Sequence, residues 1–315
     1  MPLPPNPRPA NMLDAAIEAR VDSICDTHPG GALAHTYGLL PAGAALRKVA
    51  RVKPLLNIGA FRALISEIAD PIVAQGVFDW SDFTANPTLR MERTGLFLNS
   101  MIFGDRAQVK SAAKGYAAGH DRVRGFLAVG TCPDRSGEAY AGWQDDDREW
   151  VHASIFEAMF YSYDQIMPTP LSASERDEAW QDAVRIGEVI GLNPASLAPD
   201  YASMKAWVDA RLAATTSGLA PVSVLRPQLH LHRTVGVIAR DIFALVPSLW
   251  GITSSVAWQT VPTALRPLVP TPPIGWQANW LFFRDTQRLA ANSPFDWIAL
   301  SPAYREYRRR TGDWS

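Results

Sequence analysis

Cysteine is scarce. The 315 residues hold two, Cys25 and Cys132, too few for a disulfide framework or a four-cysteine metal cluster. Lysine occurs only at Lys48, Lys53, Lys110, Lys114 and Lys205, so the positive charge is mostly arginine. That bias favours forked hydrogen bonding to carboxylates over solvated point charges. Neither sign of charge dominates: 30 basic against 31 acidic residues leave −1, without the basic footprint of a dedicated DNA- or RNA-binding chain. Charged residues make up 19%, below the usual ~25%. A sizeable buried interior follows, and disorder is excluded as the dominant state.

Several site grammars are also missing. No glycine-rich phosphate loop follows a strand, and there is no nucleophile elbow, zinc-protease helix or cysteine-pair motif. The opening Met1-Pro-Leu-Pro-Pro-Asn-Pro-Arg-Pro lacks the apolar core of a signal peptide. A cytoplasmic location is the expectation. One long uncharged run, Ile242 to Leu265, is diluted by Pro247, Gly251, Thr253, Ser254, Ser255, Gln259, Thr260 and Pro262. It reads as a buried or interfacial segment rather than a bilayer span.

What is present is helical periodicity. Asn11 and Asp14 precede an apolar-periodic run, and the stretch from Asn57 to Val77 breaks at Asp70-Pro71, where a helix must end or restart. Thr88 to Phe103 reads as a helix stopped by Gly104, with Asp105 capping a following helix that reaches His120. Asp145-Asp146-Asp147 places three carboxylates where a helix dipole favours them. Ser172-Ala-Ser-Glu175 is a capping box opening a helix that stops near Gly191. Amphipathic patterns continue around 200–214, 234–246 and 277–291. Strand signals are thin: Val222-Ser-Val-Leu225 and the alternating Leu229-His-Leu-His232 have no obvious partner. The pattern predicts an all-α chain, one large globule rather than separate domains. It divides into an N-terminal arm and helix over 1–54, a core over 55–220 and a C-terminal helical extension over 221–315.

Six histidines, at 28, 35, 120, 152, 230 and 232, bound any metal or proton-transfer chemistry. Arg90 and Thr94 lie four apart on one helix face, followed by Phe97 and Met101, with Arg93 beside them. Polar heads ending an apolar stripe suit a hydrophobic cavity that needs a few hydrogen-bond donors; a surface Arg and a back-bonding Thr fit the same spacing. Gly115 and Gly119 precede His120, leaving room for something broad and flat near an imidazole. A haem has that shape, and a proximal His is its commonest ligand; helix packing with a satisfied His is the plain alternative. Arg122 and Arg124 follow, within reach of haem propionates or of solvent. His152, in Trp150-Val-His152, suits a hydrogen bonder, a ligand or a core imidazole. His230 and His232 share one side of an extended segment but lack a third ligand.

Taken in order, five pieces resemble the MpaB-type oxygenase family, to which the latex-clearing (rubber oxygenase) proteins are related. They are Asp70-Pro-Ile-Val-Ala-Gln-Gly-Val77, Arg90-Met-Glu-Arg-Thr94 with Phe103-Gly104, His120-Asp-Arg-Val-Arg-Gly125, Tyr140-Ala141 and Trp150-Val-His152. The resemblance covers roughly 55–191, and the tail 261–269 is similar to the family's proline-punctuated segment. It implies a globin-like helical core holding one haem b, with His120 as the iron ligand; the residue reading adds Gly119, Arg124 and His152 as candidates around the cofactor. The resemblance further implies Arg90 and Thr94 on the distal side, and O2-dependent cleavage of isoprenoid double bonds. Two departures stand out. Asp70-Pro71 replaces a His-Pro common in the family, and Arg93 replaces a distal lysine that can bind iron; a guanidinium has no lone pair to give. Arg93 is then free to hydrogen-bond bound oxygen. For a catalytic carboxylate the candidates are Asp70, Glu67 and Glu92, in that order. The expected function is a haem-b oxygenase acting with O2 on a small or medium apolar substrate. Its rival is a non-catalytic helical binder of haem or of an apolar ligand.

Overall fold

The computed structural model describes residues 2–27, 37–53, 55–81, 87–128, 135–218, 259–268 and 276–313. Twelve α-helices lie among them: α1 (Asp14–Asp26), α2 (Ala45–Ala50), α3 (Leu55–Ala69), α4 (Pro71–Trp80), α5 (Pro87–Phe103) and α6 (Arg106–His120) come first. Then follow α7 (Asp145–Ile166), α8 (Ala173–Val189), α9 (Tyr201–Gly218), α10 (Trp276–Ala291), α11 (Asp296–Ala299) and α12 (Pro302–Thr311). The chain is predominantly α, as its periodicity predicts.

Local chemistry sets the boundaries that matter for the site. Proline cannot continue α3, and Asp70 caps α4 by accepting from the Ile72 and Val73 amides at 2.9 and 3.3 Å. Asp105 and Gln108 close a reciprocal capping box on α6, as Ser172 and Glu175 do on α8. Gly191, at φ +84°, turns the chain after α8 in a conformation that glycine adopts without strain.

The organising helix is α7. It buries Trp150, Phe156, Glu157, Phe160, Tyr163 and Ile166 on several faces, the signature of a helix enclosed by neighbours rather than lying on a surface. Its largest interface is with α3, and α8, α9, α10 and α4 also pack on it. A buried fork ties the two together: Arg62 Nε and Nη2 donate to Glu157 at 2.7 and 2.6 Å, and Nη1 reaches the Thr260 carbonyl at 3.2 Å. Farther out, α1 packs on α6, α2 on α8, and α12 on α5.

One element departs from the sequence reading. Arg124–Phe126 (β1) pairs antiparallel with Ala139–Ala141 (β2), Gly125 facing Tyr140. Three-residue strands are too short to register an alternation. A Cβ on Gly125 would lie 2.5 Å from the Tyr140 hydroxyl, so the ring needs the glycine. The reading of 234–246 as a helix, and of 222–225 and 229–232 as strands, lies outside the described residues, as do His28, His35, Cys132, His230, His232 and Ile242 to Trp258. Among the described residues no helix is long and apolar enough to cross a membrane.

Candidate functional site

Helices α4 to α8 and the hairpin line a cavity, open on one side, of about 740 Å³, within the range of small-molecule and cofactor sites. Its walls are mainly aliphatic and aromatic, with Val73, Val77, Phe97, Val151, Ile155 and Phe156 among them. Arg90, Arg93, Thr94, His120 and His152 all line it. The cavity thus gathers five of the eight site residues expected from sequence.

His120 ends α6. Its Nδ1 lies 2.9 Å from the Tyr116 carbonyl one turn back. A carbonyl only accepts, so Nδ1 carries the proton and Nε2 keeps its lone pair. Burial pushes the ring's pKa down to about 4, the Tyr116 hydrogen bond opposing and Arg148 reinforcing, so the imidazole is neutral near pH 7. Tyr116 stacks on the ring with centroids 3.8 Å apart, and Trp143 stands at 5.6 Å. The Tyr116 hydroxyl accepts from Arg148 Nε at 3.2 Å. Phe97 of α5 meets the same tyrosine at 5.6 Å. A Cβ at Gly115, which lines the cavity, would meet nothing within 4 Å, so the helix surface there is open.

Arg90 reaches Glu67 of α3 at 3.1 Å, and the Glu67 side chain is only 6% exposed. Burial raises the Glu67 pKa while Arg90 pulls it back. Asp70, first of the expected carboxylates, does not line the cavity: one oxygen caps α4 and the other meets Arg211 at 3.1 Å. Glu92 is exposed. Gly119 and Arg124 also stay out of the lining. Gly119 falls on the exposed side of α6, and Arg124 is held in β1, its carbonyl accepting from Trp80 Nε1 at 3.0 Å. His152 is buried, its Nε2 without a hydrogen-bond partner, and burial pushes its pKa down to about 3.

Residues that sequence reasoning missed complete the wall. Tyr116, Tyr140, Asp147 and Arg148 all line it. Tyr116, one helical turn before His120, carried a usable signal, because i and i−4 share a face. Asp147 reads in sequence as one of three dipole-complementing acids, and only tertiary structure separates it from Asp145 and Asp146. Among the described residues no group of three His, Cys, Asp or Glu side chains is placed to hold a metal ion.

Fold and site together define a helical cavity protein that presents two neutral imidazoles, His120 and His152, to a largely apolar chamber. The chain belongs to the family described as ER-bound oxygenase mpaB/B'/Rubber oxygenase, catalytic domain, whose model matches residues 47–292. Comparison with curated proteins and with solved structures gives no match.

Proposed function

We propose that this chain is a haem b-dependent oxygenase that uses O2 on an apolar, isoprenoid- or natural-product-like substrate, oxidative C=C cleavage being the favoured reaction. The observation that carries the reading is His120: a neutral imidazole, tautomer fixed by Tyr116, Nε2 available, beside the open Gly115 surface of an apolar cavity. A metal-bound imidazole typically donates its other N–H to just such a carbonyl, so the residues fit the cofactor. Haem, when bound, supplies the oxygen chemistry; the protein supplies binding, orientation and exclusion of water.

His120 Nε2 is the iron ligand in this reading. Arg90, held by Glu67 at 3.1 Å, presents fixed donors, and Thr94 one turn later adds a hydroxyl. Arg93, at the exposed margin of the same wall, adds a second guanidinium. Preoriented donors in a water-poor chamber stabilise developing negative charge with little reorganisation. The apolar walls hold the substrate skeleton and keep bulk water out.

The test is hemin titration of the purified chain followed by its Soret absorbance and pyridine hemochrome. Wild type takes up about one equivalent and, with reductant, couples O2 uptake to a carbonyl product from an alkene or terpenoid panel. His120→Ala keeps its helical circular dichroism and loses the axial-ligand spectrum. A wild-type spectrum unchanged by that substitution removes His120 from the iron; tight ligand uptake without turnover makes the chain a binder.

A further inference from the structure

The mechanism above leaves the carboxyl of the cavity wall unused. Asp147 is the only carboxyl among the described residues lining the cavity. It begins the stripe of α7 that faces the chamber, continuing through Arg148, Val151, His152 and Ile155, the three-and-four spacing of one helix face. Its side chain is 21% exposed, so water reaches the carboxyl while it lines the cavity.

Its ion pairing is poor. Arg211 of α9 stands 3.6 Å away, yet the same guanidinium lies closer to Asp146 at 2.8 Å and Asp70 at 3.1 Å. Three carboxylates therefore crowd one cation. Asp147 is the one held at longest range and the one that reaches the chamber. Its charged neighbours are Asp70 at the α3–α4 junction, Arg211 on α9, Asp146 beside it on α7, and Arg135 before β2. Burial and Asp70, with Asp146 adding, outweigh the pull of Arg211 and Arg135, and the carboxyl is pushed up to about 7. Two other cavity cations are engaged elsewhere, Arg90 with Glu67 and Arg148 with Asp145, and Arg93 sits at the exposed margin of the wall.

We infer that Asp147 is the proton-exchanging group of this cavity, passing protons between solvent and an oxygen atom of the cavity's occupant. The inference rests on reading the cavity as an oxygenase site. In the donating direction the Asp147 O–H bond breaks, its electron pair stays on the carboxylate, and a new O–H bond forms on the occupant's oxygen. Water then returns a proton to the carboxylate. The reverse sequence removes one. No oxidant or reductant enters this step.

The first test needs no cofactor: infrared titration of the carboxylic C=O band in the resting chain, read as wild type minus Asp147→Asn. A band that vanishes on deprotonation with a midpoint near pH 7 is expected in that difference. In Arg211→Gln the midpoint rises, and in Asp146→Asn it falls, because each changes the field on Asp147 without removing it. A null difference spectrum, or a midpoint below pH 5, overturns the inference. The second test uses hemin-loaded protein. Asp147→Asn loses roughly 100-fold or more in turnover together with the inflection near pH 7, and Asp147→Glu recovers part of both. An unchanged pH profile in Asp147→Asn also overturns it. Failure of the chain to take up hemin would remove the oxygenase reading while leaving the infrared result to stand or fall by itself.

Discussion

At the scale of single residues, the site is distinguished by imidazoles kept neutral. His120 and His152 have folded-state pKa values pushed down to about 4 and about 3 by burial, against about 6.5 in an unfolded chain. Between those limits the unfolded state binds more protons, so stability against unfolding rises with pH. Their contribution is complete above pH 6.5 and is lost as pH falls toward 4 and 3. Asp147 acts with the opposite sign, since its raised pKa makes the folded state the better proton binder between about 4 and 7. Absolute slopes therefore mix the two, and the informative quantity is a difference between variants. Denaturant titrations of wild type and His152→Gln from pH 7 to 4.5 are expected to show a shallower loss of stability in the variant. Parallel curves would mean that His152 is already protonated in the fold. None of this was legible in the sequence, where the six histidines differ only in their neighbours along the chain.

At the scale of elements, boundaries were far more legible than contacts. Asp70-Pro71, Asp105 with Gln108, and Ser172 with Glu175 each fix a helix start through bonds spanning two or three residues, so composition alone marks them. Asp70 illustrates the limit of such reading. Its place in a motif suggested chemistry, while its geometry shows a cap, and Glu67 three residues earlier holds the buried contact to Arg90. The hairpin was invisible for a related reason: its logic is the fit of Tyr140 against Gly125, a pairing across the fold. The same hairpin buttresses the end of α6. Gly142 donates to the Val123 carbonyl at 2.7 Å, and a Cβ on Gly142 would stand 2.7 Å from the His120 carbonyl oxygen and 2.8 Å from Val123 Cβ. Backbone on one side and a branched Cβ on the other leave no flexible tip to move aside. Gly142→Ala is expected to lower stability by roughly 1–3 kcal/mol, the usual cost of overpacking. It should also weaken hemin uptake, because it displaces the turn that follows His120. Gly142 does not sit at positive φ, so the cost is that of the clash alone. Equal hemin affinity in wild type and Gly142→Ala would sever the hairpin from the site.

Across the whole molecule, one buried cation joins segments far apart in the chain. Arg47, 3% exposed, donates to the carbonyls of Tyr37, Leu40 and Pro41 and, through Nε at 2.9 Å, to Ile102 at the end of α5. Its guanidinium carbon also sits 4.2 Å from the centre of the Tyr307 ring on α12. The segment before α2, the end of the cavity helix α5 and the C-terminal helix thus converge on one side chain. The arginine-rich composition favours forked bonding, but which arginine does this depends on three regions that periodicity treats separately. The planar fork matters here, because a lysine offers three donors from a single atom and cannot span four carbonyls. Arg47→Lys therefore leaves buried acceptors unpaired, at about 1–3 kcal/mol for each. Expected results are a clear fall in the thermal midpoint and faster amide exchange at the α5 C-terminus and in α12 together. Loss confined to α12 would mean that Tyr307 stacking alone matters, and no loss at either end would mean that these segments are held independently of Arg47. Because α5 carries Arg90, Arg93 and Thr94 at its other end, the same variant asks whether global tethering sets the geometry of the cavity wall. Hemin affinity that tracks the exchange rate of α5 would tie the two, while wild-type affinity in a loosened α5 would confine Arg47 to the scaffold.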